Sequence, residues 1–217
     1  MQFDWSTVDT VLLDMDGTLL DLHFDNYFWR ELVPHEYASA RGLVVEEALR
    51  IVEAQYQRVY GTLDWYCVDY WTDALGLDIR GLKAGASDRV CYLPDAEQFL
   101  DGMRALGKRL VLVTNAHQDA LAIKLHRTDL SARVDRVISS HELNYPKEHA
   151  EFWQNLQARE PFHRERTLLI EDSLPVLESA RRFGMGHLVA IRRPDTSAPP
   201  RVIDGFPAVD SVADLLA

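Results

Sequence analysis

An apolar run over residues 8–13, broken only by Asp9 and Thr10, ends in Asp14-Met15-Asp16-Gly17-Thr18. Such a run is long enough for a buried strand. Two carboxylates flank a single residue at its end, and glycine with threonine then turns the chain. Buried charge is costly unless it is paired or bound to a metal, so acids in this position need a positive partner. That requirement limits the fold more than any other feature of the chain.

The rest of the sequence supplies a setting for it. Short apolar runs predict strands over 109–113, 136–139, 167–170 and 188–191, alternating with helices over 95–106, 118–126, 148–158 and 175–183. Continuous apolar strands separated by helices indicate a parallel sheet covered on both faces. A tail rich in proline follows, with a last short helix over 209–216. Between the first strand and residue 89 the pattern is helical only. Helices are predicted over 26–42, capped by Asn26 and kinked or divided by Pro34, and over 45–60, 63–75 and 79–86. The expected fold is therefore α/β, a Rossmann-like parallel sheet interrupted after its first strand by an all-helical insertion. Residues 1–21 and 89–217 form the core, and 22–88 form a cap.

In open parallel sheets, ligands bind outside the carboxyl ends of the strands. Those ends carry Asp14 and Asp16, then Thr114-Asn115, Ser139-Ser140, and Glu171-Asp172-Ser173. Each pair of like charges about 4 Å apart costs roughly 4 kcal/mol at an effective dielectric near 20. A cation must sit among them, and ligands made only of oxygen select a hard one, Mg²⁺. Lys147, with Pro146 fixing the backbone before it, supplies a second positive charge.

Composition narrows the partners. A net charge of −11 over 217 residues argues against nucleic-acid backbones and anionic membranes. No apolar run approaches the roughly 18 residues of a membrane span, and the N-terminus lacks a basic leader. Cys67 and Cys91 show no zinc or redox spacing, and the eight histidines show no metal-ligand spacing. A cytoplasmic protein, monomeric or weakly dimeric and acting on a small molecule, is expected. Gly102 to Arg109 nearly spells a phosphate-binding loop, but it lacks the final hydroxyl residue and runs from helix into strand. Gly184-Met185-Gly186 reads as a turn, and His117 as a helix start or surface residue rather than an active-site group.

Asp14-Met15-Asp16-Gly17-Thr18, Thr114-Asn115, Lys147 and Glu171-Asp172 resemble the four motifs of the haloacid dehalogenase superfamily, in its phosphatase branch. Stretches 12–29, 64–71 and 112–117 are similar to the bacterial nucleotidases of that superfamily that act on GMP and IMP. The resemblance implies an Mg²⁺-dependent phosphomonoesterase, with Asp14 as nucleophile and Asp16 as general acid and base. Asp14, the Asp16 carbonyl and Asp172 would hold the metal, and Thr114, Asn115 and Lys147 the phosphoryl group. One departure stands out: many relatives carry an acid four residues after Asp172, where this chain has Val176. Glu171 would compensate, binding the metal through water or orienting Lys147. In the aromatic-rich cap, Asn26, Trp65 and Tyr66 are candidate contacts for a purine, and 20–25 a hinge. A phosphatase for a sugar phosphate or phosphoglycolate is the competing expectation. A dehalogenase would leave Asp16 and the metal ligands without a task, and a Schiff-base phosphonate hydrolase needs a cap lysine, for which 22–88 offers only Lys83.

Overall fold

The computed structural model describes residues 3–216, so Met1, Gln2 and Ala217 of the expected core lie outside it. Six strands form one all-parallel sheet: β1 (Thr10–Leu13), β2 (Arg109–Thr114), β3 (Arg136–Ser139), β4 (Thr167–Glu171), β5 (His187–Ile191) and β6 (Ala208–Val209). Their order is β3-β2-β1-β4-β5-β6, so the strand bearing the two acids lies at the centre.

Alternation along the strands explains the layers. Val11, Leu13, Leu110, Leu112, Leu168 and Ile170 enter one buried cluster. Leu12, Val111, Val113 and Leu169 enter another on the opposite face, against the helices Ala150–Arg159 and Leu174–Phe183. All four residues of β1 are buried, which accounts for its unbroken apolar core.

The insertion between β1 and β2 is helical, and it packs around its own apolar cluster of Phe28, Val33, Val52, Trp71, Leu75 and Ile79. The chain leaves and re-enters the sheet side by side. Asp21 donates its N–H to the Cys91 carbonyl at 3.0 Å, and Leu93 donates to Leu19 at 2.8 Å.

Several boundaries depart from the sequence expectations. Asn26 does not cap a helix: it lies inside His23–Tyr27, and its N–H donates to the Leu22 carbonyl. The helix expected over 26–42 is divided at Pro34, which stands in the first turn of its last piece. A π-helical turn, Phe28–Leu32, precedes it and leads into the helix Val33–Arg41. The wider turn accommodates the N–H that proline lacks. The helix expected over 63–75 is broken into Leu63–Tyr66 and Val68–Leu75 by the extended Cys67, whose sulfur accepts the Tyr70 N–H as an N-cap. In place of a helix over 209–216 there is β6 followed by a 3₁₀ turn, Val212–Leu215. A short helix, Leu130–Arg133, was not anticipated. Among the described residues, no helix is long and apolar enough to cross a membrane.

Candidate active site

The strand ends converge. β1 places Asp14 in a buried position, and its backbone N–H extends the ladder to the Ile170 carbonyl at 3.1 Å. The turn that follows needs glycine. Gly17 has φ +86°, and a Cβ there would lie 2.8 Å from Pro194 Cβ and 2.9 Å from Asp172 Cγ. This close approach is what lets the β1 and β4 turns share one site.

Lys147 is fully buried, and its Nζ donates to Asp14 Oδ1 at 2.5 Å, Glu171 Oε2 at 2.6 Å and the Val113 carbonyl at 3.1 Å. Asn115 Oδ1 accepts the Lys147 backbone N–H at 2.9 Å, which fixes the segment that carries it. Thr114 Oγ1 accepts the Ala116 N–H at 3.0 Å. Glu171 uses its second oxygen to accept from the backbone N–H groups of Asp172 (3.1 Å) and Ser173 (3.0 Å). Both of its oxygens are thus engaged, one of them by Lys147.

One oxygen is left over: Asp14 Oδ2 is buried and has no partner among the described residues. Carboxylate oxygens of Asp14, Glu171 and Asp172 lie within 4.8 Å of one another. Burial and the neighbouring Glu171 push the Asp14 carboxyl up to about 7. Burial and Asp14 push Asp172 up to about 7, and burial, opposed by Lys147, leaves Glu171 at about 7. Three acids sharing one lysine lack positive charge. A buried orphan oxygen within an all-oxygen cluster fits a hard divalent cation.

Asp16 faces a different lysine. Lys124 Nζ, buried, lies 2.6 Å from Asp16 Oδ1 and 2.5 Å from Asp25 Oδ2, while Lys83 Nζ meets Asp25 Oδ1 at 2.8 Å. Burial raises the Asp16 carboxyl, and Lys124 opposes the rise. Burial also works on Asp25, but Lys124 and Lys83 overcome it and hold its carboxyl well below the usual carboxylate range. Lys83 is packed among aromatic rings, 4.3 Å from the Phe28 centroid and 4.9 Å from that of Phe24. The sequence reading missed Lys124 and Asp25.

A cavity of about 330 Å³ opens above both clusters and takes in Asn26, Trp65 and Tyr66 along its walls. The Tyr66 hydroxyl donates to Glu148 Oε1 at 2.6 Å, and Asn115 Nδ2 donates to Glu148 Oε2 at 3.0 Å. Asn26 Nδ2 donates to Asp195 Oδ2 at 2.7 Å, tying the insertion to the tail. Trp65 packs edge-on against Tyr56, with centroids 5.7 Å apart. His117 does start a helix, Gln118–Arg127, by accepting the Asp119 N–H, and it also borders the cavity. Val176 lies at the cavity wall.

The family model for haloacid dehalogenase-like hydrolases matches residues 8–184. The chain is 41% identical over 212 residues to the GMP/IMP nucleotidase YrfG of Escherichia coli (strain K12), covering 98% of this chain and 96% of that one. The corresponding protein of Shigella flexneri matches to the same extent. Among solved structures, a phosphatase from Thermococcus onnurineus aligns with a TM-score of 0.81 at 22% identity, covering 96% of each chain. An L-2-haloacid dehalogenase from Xanthobacter autotrophicus aligns at 0.63 and 18% identity, again over 96% of each chain. These structural matches speak to the fold alone.

Proposed function

Since this chain belongs to the haloacid dehalogenase-like hydrolases, we propose that it is an Mg²⁺-dependent 5′-nucleotidase that dephosphorylates GMP and IMP through an aspartyl-phosphate. The observation that carries the reading is the unpartnered Asp14 Oδ2, buried beneath an aromatic-walled cavity and among three carboxylates. The substrate class is supported by the 41% identity to a GMP/IMP nucleotidase over nearly the whole of both chains.

One Asp14 carboxylate oxygen attacks phosphorus and the other stays toward the metal site, with Lys147 bonded to Oδ1 holding the carboxylate in place. As the Asp14–phosphorus bond forms, the bond to the 5′-oxygen breaks, and Asp16 donates its proton to that oxygen. Asp16 then takes a proton from the water that attacks phosphorus, which releases inorganic phosphate and regenerates Asp14. Lys124 holds Asp16 in place for both transfers. Thr114, Asn115 and Lys147 receive the phosphoryl oxygens. Asp14, the Asp16 carbonyl and Asp172 would hold Mg²⁺, while Glu171 orients Lys147. When bound, the ion offsets the charge of the acids and of the phosphoryl group.

Residues 22–88 act as a cap over the core of 1–21 and 89–217, hinged at 20–25, and closure excludes water from the phosphoenzyme. Trp65 and Tyr66 stack on or border the purine, a contact worth roughly 1–3 kcal/mol per stacked base. Asn26 stands at the same wall. The enzyme is taken to act in the cytoplasm as a monomer or weak dimer.

Phosphate release from a panel of nucleoside monophosphates, sugar phosphates and phosphoglycolate, with Mg²⁺ and with EDTA, tests the reading. GMP and IMP should lead the panel and EDTA should abolish turnover. A sugar phosphate in first place would overturn the substrate assignment.

A further inference from the structure

The eight histidines and two cysteines carry no ligand spacing in the sequence, yet the fold gathers three of them. Cys67 stands at the break between two helices of the insertion, His117 at the start of the helix after β2, and His141 in the 3₁₀ turn Ser140–Glu142 after β3. Their ligand atoms lie within 4.8 Å of one another. We propose that Cys67, His117 and His141 form a second metal site for a zinc-type ion that pins the helical insertion to the sheet, with solvent completing the coordination.

The side chains are presented as ligands. The Nε2 of His141 is buried with no partner among the described residues. A ring nitrogen left free in this way is what a metal-ligating histidine presents. An unpaired buried nitrogen otherwise costs about 1–3 kcal/mol. The His117 ring stands edge-on to that of His141, with centroids 4.9 Å apart. Its Nε2 lies 3.7 Å from Asp69 Oδ2. Its Nδ1 accepts the Asp119 N–H, and metal binding through Nε2 would move the ring proton to Nδ1, 3.9 Å from Asp119 Oδ2. Cys67 is a free thiol, and only the weak Tyr70 N–H contact at 3.5 Å occupies its sulfur.

Tetrahedral bonds of about 2.0–2.3 Å set such donors roughly 3.3–3.8 Å apart, so side-chain shifts of about an ångström close the cluster on an ion. A thiolate with two imidazoles selects Zn²⁺, whereas Mg²⁺ selects the oxygen cluster around Asp14, so the two sites sort their ions by softness. Binding replaces the Cys67 thiol proton with the metal and releases it to solvent. Because Cys67 belongs to the insertion and both histidines to the core, an occupied site resists separation of the two. This inference does not depend on the substrate proposed above.

The test uses the full chain, stripped with chelator and then held in excess Mg²⁺ to fill the oxygen cluster, and titrated with Co²⁺. One equivalent should bind with a thiolate-to-metal charge-transfer band and the intense visible bands of a tetrahedral site, and Zn²⁺ should displace it. Cys67→Ser keeps a capping oxygen for Tyr70 and so preserves the helix start. It should abolish the charge-transfer band, and His141→Gln should weaken Co²⁺ binding roughly tenfold or more. The proposal is overturned if no such band appears, if the band survives in Cys67→Ser, or if it is lost in Cys91→Ser instead. Unchanged Co²⁺ affinity in His141→Gln would overturn it as well.

Discussion

Two buried lysines each grip one aspartate of the pair that ends β1, and their surroundings differ in charge count. Around Lys147 stand Asp14, Glu171 and Asp172, three acids to one lysine, with the half-exposed Arg201 3.5 Å from Asp172 as the nearest relief. Around Lys124 stand Asp16 and Asp25, and Lys83 completes a balanced set of two acids and two lysines. The titration of the acids follows the count. Burial and mutual repulsion bring the first set up to about 7, while two lysines hold Asp25 low. One cluster is built to receive positive charge from outside. The other is complete and serves to hold Asp16.

The largest expected effect comes from Asp14→Asn. Turnover of GMP should fall by at least about 10³-fold, because the attacking oxygen is gone. Metal-free thermal stability should hold or rise, since one of three crowded charges is removed. Calorimetry in EDTA checks this: a marked drop in melting temperature would break the view that this side is overcharged. Substantial turnover by the variant would refute the nucleophile.

Next come the lysines themselves. Removing one partner of a buried ion pair costs about 3–5 kcal/mol, so Lys147→Met and Lys124→Met should both be severely destabilised. They should differ in their response to Mg²⁺. Lys147→Met leaves acids that an added cation can satisfy, so millimolar Mg²⁺ should recover part of its loss in urea unfolding. Lys124→Met should gain no more from Mg²⁺ than the wild type does. Equal recovery in the two variants would erase the distinction.

The same contrast decides what could be read from the sequence. Lys147 stood out because Pro146 and the strand-end acids framed it, and the motif at Asp14 announced the sheet that assembles them. Lys124 lies in the middle of a helix, where a lysine reads as a solvated surface residue. The signal that could have found it is its spacing: it falls three and four residues after Leu121 and Ala120, on the buried face of Gln118–Arg127. Asp25 falls at the end of the segment 20–25, read as a hinge rather than as part of the site. The strands were legible because short apolar runs between helices have few other uses. The break at Pro34 was legible, but the break at Cys67 was not, because tertiary packing of the insertion sets it rather than local propensity.

Acid should expose the balanced cluster. The Asp25 carboxyl is held below its ordinary value, so its stabilisation is complete above the unfolded value near 3.8 and is lost as pH falls through the lower folded value. The stability gap between wild type and Asp25→Asn, read from urea unfolding, should therefore stay constant from pH 8 to about 5 and shrink only below about 4. A gap that closes between pH 7 and 5 would mean that the two lysines do not hold this acid.

The smallest effect separates the two ways in which the insertion holds the core. On the Lys124 side the link is ionic and buried, running from Lys83 through Asp25. On the Lys147 side it passes from the Tyr66 hydroxyl to Glu148 and on to Asn115, whose Oδ1 accepts the Lys147 N–H. Tyr66→Phe removes one hydrogen bond from that second link and leaves Glu148 with its Asn115 contact, at a cost of about 1 kcal/mol. Because that bond is already made without ligand, the cost should appear in the urea stability of the free enzyme, with KM for GMP raised by at most about fivefold and kcat little changed. An equal fall in kcat would instead mean that the Glu148–Asn115 arm transmits the change to Lys147, making the two sides alike in what they ask of the insertion.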